Sequence, residues 1–207
     1  MPRLIDISPL VSERIGVWPG DVTYRRRVSL AIENGANLGL SYVRSTVHLG
    51  AHADAPGHYM RDGRGIHEMP LESYFGPCQV LEVTLPRGAR IRPADLRDPV
   101  RAPRVLFRTN SFPDPERFTT DFDSLSPGLV DFLHGEGVVL VGIDTPSVDP
   151  FDDKALEAHQ ALGRHDMANL EGLVLTDVTP GLYTLLALPL KLEGADASPV
   201  RAVLIAE

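Results

Sequence analysis

His48-Leu49-Gly50-Ala51-His52-Ala53-Asp54-Ala55-Pro56-Gly57-His58 brings three of the seven histidines and an aspartate into one short stretch. On a helix, His48 and His52 at i, i+4 would form a metal-binding face, but Gly50, Pro56 and Gly57 all disfavour a helix. An extended chain has a side-chain period of two, so residues 48, 50, 52 and 54 share one face. His48, His52 and Asp54 then converge, and Gly50 between them leaves space for an ion. Two imidazoles and a carboxylate are suitable ligands for zinc or manganese. Pro56 turns the chain, so that His58 approaches the same centre from another side. A lone histidine is usually a surface residue or a hydrogen-bonded core residue. A strand that buries this many polar groups, however, needs partners for them. The pattern therefore favours a metal site on extended chain.

Working outward, short runs rich in Val, Leu and Ile read as strands at 25–32, 42–49, 79–84, 105–109, 138–143, 172–175 and 200–205. Helices are fewer. Ser126-Pro127 supplies an N-cap and a first-turn proline ahead of GLVDFLH, and Gly135 closes that helix. A second helix is expected over 154–162, entered from the turn-rich TPSVDPFDD. Pro and Gly number 18 each and are spread along the chain, with no internal repeat and no linker. The expectation is an α/β fold: one domain over 1–207 with a mixed β-sheet core and few helices, better described by helices on one side of a sheet than by a regular βαβ repeat.

Composition removes several classes of function. Lys and Arg number 20 against 28 Asp and Glu, a net charge of −8, which argues against non-specific nucleic-acid binding. Arg25-Arg26-Arg27 is too short a run to change that and reads as one solvated face of a strand. Cys78 is the single cysteine, so an intrachain disulfide and every zinc site built on several cysteines are excluded. It is read as a small apolar residue. The opening MPRLIDISPLVSERIG has no apolar signal-peptide core, and no stretch approaches about 18 consecutive apolar residues. A cytoplasmic protein without a membrane partner is expected.

Further ligands can be sought on the remaining elements. His159 shares a helix face with Leu156 and Leu162 and is either a hydrogen-bonded core residue or a ligand. Glu171 lies in the apolar run Leu170-Glu171-Gly172-Leu173-Val174-Leu175, where a bare carboxylate is costly. A metal or an arginine would compensate it, and both readings stay open. His134 at a helix C-terminus suits the dipole, His67 lies in a turn-rich segment, and His165 points away from His159, so all three read as surface residues. No phosphate loop, Rossmann fingerprint or Gly-x-Ser-x-Gly elbow is present.

HLGAHADAPGH resembles the His-x-Gly-Thr-His-x-Asp-x-Pro-x-His signature of the cyclase-like metal-dependent hydrolases, and within them the chain looks like the bacterial kynurenine formamidase (arylformamidase) branch. The resemblance extends to Val17-Trp18-Pro19-Gly20-Asp21, Gly142-Ile143-Asp144-Thr145-Pro146-Ser147, the His159 segment, Leu170-Glu171-Gly172-Leu173, Leu188-Pro189-Leu190-Lys191-Leu192 and Gly194-Ala195-Asp196-Ala197-Ser198-Pro199. Ala51 departs from the signature's threonine, which removes a hydroxyl but no ligand.

The resemblance implies two zinc ions per subunit, with manganese or another divalent metal as alternatives. His48, His52 and Asp54 would hold one ion, Asp54 would bridge to the second, His159 would bind the second, and Glu171 would contact both. His58 would be the general acid/base and Trp18 would line the substrate pocket. The implied fold is a compact α/β domain of swivelling β/β/α type, and the implied assembly is a homodimer. The implied reaction is hydrolysis of N-formyl-L-kynurenine to formate and L-kynurenine, in tryptophan degradation. Two other readings compete: a hydrolase of the same superfamily acting on a cyclic amide or lactone, and a non-catalytic metal-binding protein.

Overall fold

The computed structural model describes residues 2–206. Its strands are β1 (Arg3–Asp6), β2 (Arg25–Leu30), β3 (Leu40–Arg44), β4 (His52–Asp54), β5 (Phe75–Glu82), β6 (Arg90–Ile91), β7 (Arg104–Arg108), β8 (Ser124–Leu125), β9 (Leu140–Ile143), β10 (Ala168–Glu171), β11 (Gly181–Leu186), β12 (Ala197–Pro199) and β13 (Val203–Ala206). Two α-helices accompany them, α1 (Pro127–Gly135) and α2 (Glu157–Arg164).

Nine strands form one sheet in the order β1-β13-β11-β5-β7-β9-β10-β4-β12. β5, β7, β9 and β10 run parallel in its middle, and antiparallel strands flank them on both sides. Alternation along the strands sends side chains to opposite faces. Val80, Leu106, Leu140 and Leu170 join one apolar cluster, while Leu81, Val105, Phe107, Val141 and Ile143 join another. Helices α1 and α2 cover the second cluster with Leu129, Val130, Leu133, Ala158, Ala161 and Leu162. This is the expected α/β fold with a mixed sheet and few helices.

The N-terminus of α1 follows its sequence signal, since Ser126 Oγ accepts from the Leu129 N–H at 3.1 Å and Pro127 takes the first turn. Elsewhere the boundaries move. The run 42–49 ends as strand at Arg44, so His48 lies in a loop. The run 172–175 is not a strand, because the ladder is made one step earlier by 168–171. Gly172 ends it with φ +64, and a Cβ there would lie 2.1 Å from Gly50 O. Helix α2 starts at Glu157 rather than 154, entered through Leu156 at φ +51. Arg25, Arg26 and Arg27 do not form one face, since strand alternation sends them to both sides of the exposed β2.

The contact between Gly172 and Gly50 clamps the loop before β4 onto the end of β10. Gly172→Ala is expected to destabilise the protein by more than about 2 kcal/mol, from left-handed strain plus the clash. Gly35→Ala, with φ +86 but open space around it, should cost only about 1 kcal/mol. Urea denaturation of the two variants measures the difference.

Candidate metal centre

The register of β10 against β4 sets the site. Glu171 pairs with His52, Leu170 with Ala53, and Asn169 with Asp54. Period two therefore puts His52, Asp54, Asn169 and Glu171 on one face, while Ala53 and Leu170 enter the apolar core on the other. Helix α2 adds His159, and the loop before β4 adds His48. Asp54, Glu171, His52 and His159 are all buried.

Asp54 faces both ways. Its Oδ1 lies 2.9 Å from His48 Nδ1 and 3.5 Å from His52 Nε2, and its Oδ2 lies 3.3 Å from His159 Nε2. Glu171 also spans the gap, with Oε2 3.4 Å from His52 Nε2 and Oε1 3.2 Å from His159 Nε2. Three groups of donor atoms result, each with its atoms within 4.8 Å of one another: His48, His52 and Asp54; Asp54, His159 and Glu171; and, nearer the surface, His48, His58 and Asp196. Among the described residues no arginine reaches Glu171. Its neighbours are the two histidines, the Val148 N–H at 2.8 Å and Asn169 Nδ2 at 3.3 Å.

The outward nitrogen of each histidine has an acceptor. His52 Nδ1 donates to Gly50 O at 2.8 Å and His159 Nδ1 to Asp149 Oδ2 at 2.8 Å, while His48 Nε2 lies 3.1 Å from Asp196 Oδ2. Such bonds fix the tautomer and leave the inward nitrogen with a lone pair, as a metal-ligating imidazole requires. His52 Nε2 and Asp54 Oδ1 are buried without an aligned hydrogen bond. A shared cation satisfies both atoms, so the donor set fits a divalent metal. Gly50 does not leave open space, as its carbonyl is the His52 acceptor and a Cβ there would lie 2.9 Å from Pro9 Cγ.

The electrostatics show how negative this pocket is. Burial opposes charge on His48, yet the hydrogen bond and charge of Asp54 outweigh it and hold the ring up at about 9. Burial likewise opposes charge on His159, but Asp149, Asp54 and Glu171 hold it well above the usual histidine range. Burial pushes Asp54 up, and the surrounding histidines bring it well below the usual carboxylate range. Protons held by such a cluster are those a metal ion displaces.

His58 follows the turn at Pro56, and its ring lies 4.2 Å from that of His48 and 5.8 Å from that of His159. Trp18 is half-buried, stacked on Phe151 at 4.9 Å and edge-on to Phe118 at 5.5 Å. Both line a cavity of about 520 Å³, together with His48, His52, His159 and Glu171. That volume suits a small-molecule ligand. Of the other histidines, His134 and His165 stack on each other at 4.1 Å, and His67 Nδ1 accepts the Gly194 N–H at 3.3 Å.

Three supporting residues escaped the sequence reading. Asp149 holds His159 and also accepts from the Ala158 and His159 N–H groups, capping α2 from outside the helix. Asn169 donates to Asp54 Oδ2 at 2.7 Å. Asp196 reaches His48 and His58. For Asn169 the signal is its parity with Glu171, which shows only when the strand runs through Glu171 rather than after it. For Asp149 the signal was a carboxylate just before a helix carrying an inward histidine.

The sequence model of the Cyclase family matches residues 5–150. A kynurenine formamidase from Bordetella petrii is 44% identical over 206 residues, covering 99% of this chain and 98% of that protein. Among solved structures, a potential metal-dependent hydrolase with cyclase activity superposes with a TM-score of 0.86 at 26% identity, over 100% of this chain and 99% of that one. A "predicted metal-dependent hydrolase" from Bacillus stearothermophilus gives 0.84 at 26% identity, with both chains fully covered. With its signature histidines gathered at the end of a matching sheet, this chain belongs to the Cyclase family.

Proposed function

We propose that this chain is a cytoplasmic, zinc-dependent arylformamidase that hydrolyses N-formyl-L-kynurenine to formate and L-kynurenine. The observation that carries this reading is the aromatic wall of Trp18, Phe112 and Phe118 beside the histidine–carboxylate cluster in one cavity, with Phe151 stacked on Trp18. The formamidase from Bordetella petrii, similar over nearly the full length, supports the same substrate.

His48, His52 and Asp54 would hold one ion, and Asp54, His159 and Glu171 the second, with Glu171 in reach of both. When bound, the metal would supply Lewis-acid chemistry, polarising the formyl carbonyl and lowering the pKa of water from 15.7 to about 7. Trp18 packs on the aryl ring, and the apolar wall excludes bulk water. His58, on the cavity wall with Nδ1 turned to Asp196, takes a proton from the attacking water and delivers it to the departing aryl nitrogen. Breaking the C–N bond then releases a neutral amine rather than an anilide.

A homodimer is part of this proposal. β2 and β3 form a two-stranded ribbon outside the main sheet, with Val28, Leu30, Leu40, Tyr42 and Val43 exposed. An isolated ribbon is marginal in water, and a second copy is the cover the family resemblance implies.

Purified protein is expected to hydrolyse N-formyl-L-kynurenine, to lose activity to a strong chelator and to regain it with zinc. Metal-loaded protein that ignores this substrate but opens a cyclic amide or lactone would overturn the substrate. His58→Ala should keep its metal and its fold while kcat falls about 10²- to 10⁴-fold, and an unchanged kcat removes His58 from proton transfer. Light scattering should give twice the mass of one chain, and Tyr42→Asp with Val43→Asp should halve it.

A further inference from the structure

Asp196 belongs to the tail segment that the resemblance singled out without a role, and it reaches the centre from the far end of the chain. β12 pairs antiparallel with β4, placing Ala197 opposite Asp54, and Asp196 O accepts the Ala55 N–H at 2.8 Å. The backbone of Asp196 is thereby fixed beside the strand that carries His52 and Asp54. Its side chain then uses a single oxygen twice: Oδ2 lies 3.1 Å from His48 Nε2 and 3.3 Å from His58 Nδ1. The two rings sit 4.2 Å apart over that oxygen.

We propose that Asp196 is a positioning residue, whose Oδ2 holds the His58 ring by Nδ1 and keeps it in register with the candidate ligand His48. The inference rests on the proposed role of His58 in proton transfer. A carboxylate on Nδ1–H selects the tautomer whose Nε2 carries the lone pair. That nitrogen is then ready to accept a proton and, once charged, to return it. The same oxygen restrains ring rotation, so the proton-transfer group keeps a constant distance from the rest of the cluster. This arrangement follows the base–orienter logic seen when an imidazole acts on a nucleophile. Here one carboxylate oxygen serves two imidazoles, whereas Asp149 has one imidazole partner, His159, and caps α2 as well.

The test compares Asp196→Ala, Asp196→Asn and Asp196→Glu in the zinc-loaded protein, each with and without His58→Ala. The first readout needs no substrate: long-range proton–nitrogen NMR of the neutral His58 ring, assigned by its loss in His58→Ala. The Nδ1–H tautomer is expected in the parent protein and should be lost in Asp196→Ala. The second readout is a competition titration with a zinc chelator, in which Asp196→Ala should still bind two ions with affinity lowered by no more than about tenfold. The third is kinetic. Asp196→Ala should lower kcat about 10- to 100-fold with KM within about twofold, Asp196→Asn should fall between it and the parent, and Asp196→Glu should restore part of the loss. In the His58→Ala background the same change should cost less than about threefold, because its route of action is gone. An equal loss of kcat with and without His58 would overturn the proposal and assign Asp196 to His48 and the metal alone. An unaltered His58 tautomer in Asp196→Ala would overturn it as well. If the protein is inactive on N-formyl-L-kynurenine, the tautomer still decides the positioning, so the two readings fail separately. If Asp196→Ala does not fold, Asp196→Asn carries the same NMR and kinetic comparisons.

Discussion

Asp54 and Glu171 face one buried space from adjacent antiparallel strands, where each carboxylate has lost its water and each repels the other. Burying an ion costs several kcal/mol unless charge and hydrogen bonds compensate it. Here the compensation comes from every side. His52 arrives from the same strand as Asp54, His48 from the loop before it, and His159 from the first turns of α2. Asn169 and the Val148 N–H supply neutral donors. The antiparallel register of β10 on β4 is therefore the constraint on which the centre depends. A shift of one residue would turn Glu171 and Asn169 into the apolar core and Leu170 into the cluster.

This dependence explains why so many elements near the centre are fixed by unusual local geometry. Gly172 and Gly50 both take left-handed φ values and touch backbone to backbone, which brings the end of β10 to the start of β4. Leu156 takes a conformation unfavourable for a branched side chain immediately before α2. Asp149 then caps the buried first turn of that helix and orients His159 with the same carboxylate. Strain and capping are concentrated where the side-chain donors must converge.

The donor types were legible in the sequence because histidine and aspartate at matched parity have few other uses on an apolar strand. The fold class was legible too, from apolar runs of strand length separated by Gly and Pro. What hydropathy does not show is where the strands begin and end. The run 172–175 is as apolar as a strand, but hydropathy does not show that Gly172 is left-handed, so Asn169 was passed over. His48 reaches the centre through a turn at Gly50 rather than along an extended strand. His159 and Glu171 stayed ambiguous for a related reason: burial of one polar side chain does not reveal which other segment faces it. Asp196 acts through partners 138 and 148 residues away, and no local pattern reports a contact across the fold.

The pairing of His48 with Asp196 spans 148 residues, and that of His159 with Asp54 spans 105. His48, His52 and Asp54 are close along the chain, but the second donor group, Asp54 with His159 and Glu171, has no local precursor in the unfolded chain. Closing loops of that length costs entropy before any contact rewards it. An ion held by that second group would therefore not serve as a nucleus, unlike in small domains whose ligands lie within one hairpin and helix. Its binding would require the assembled sheet, so its stabilisation would fall on the finished fold and slow unfolding more than speed folding.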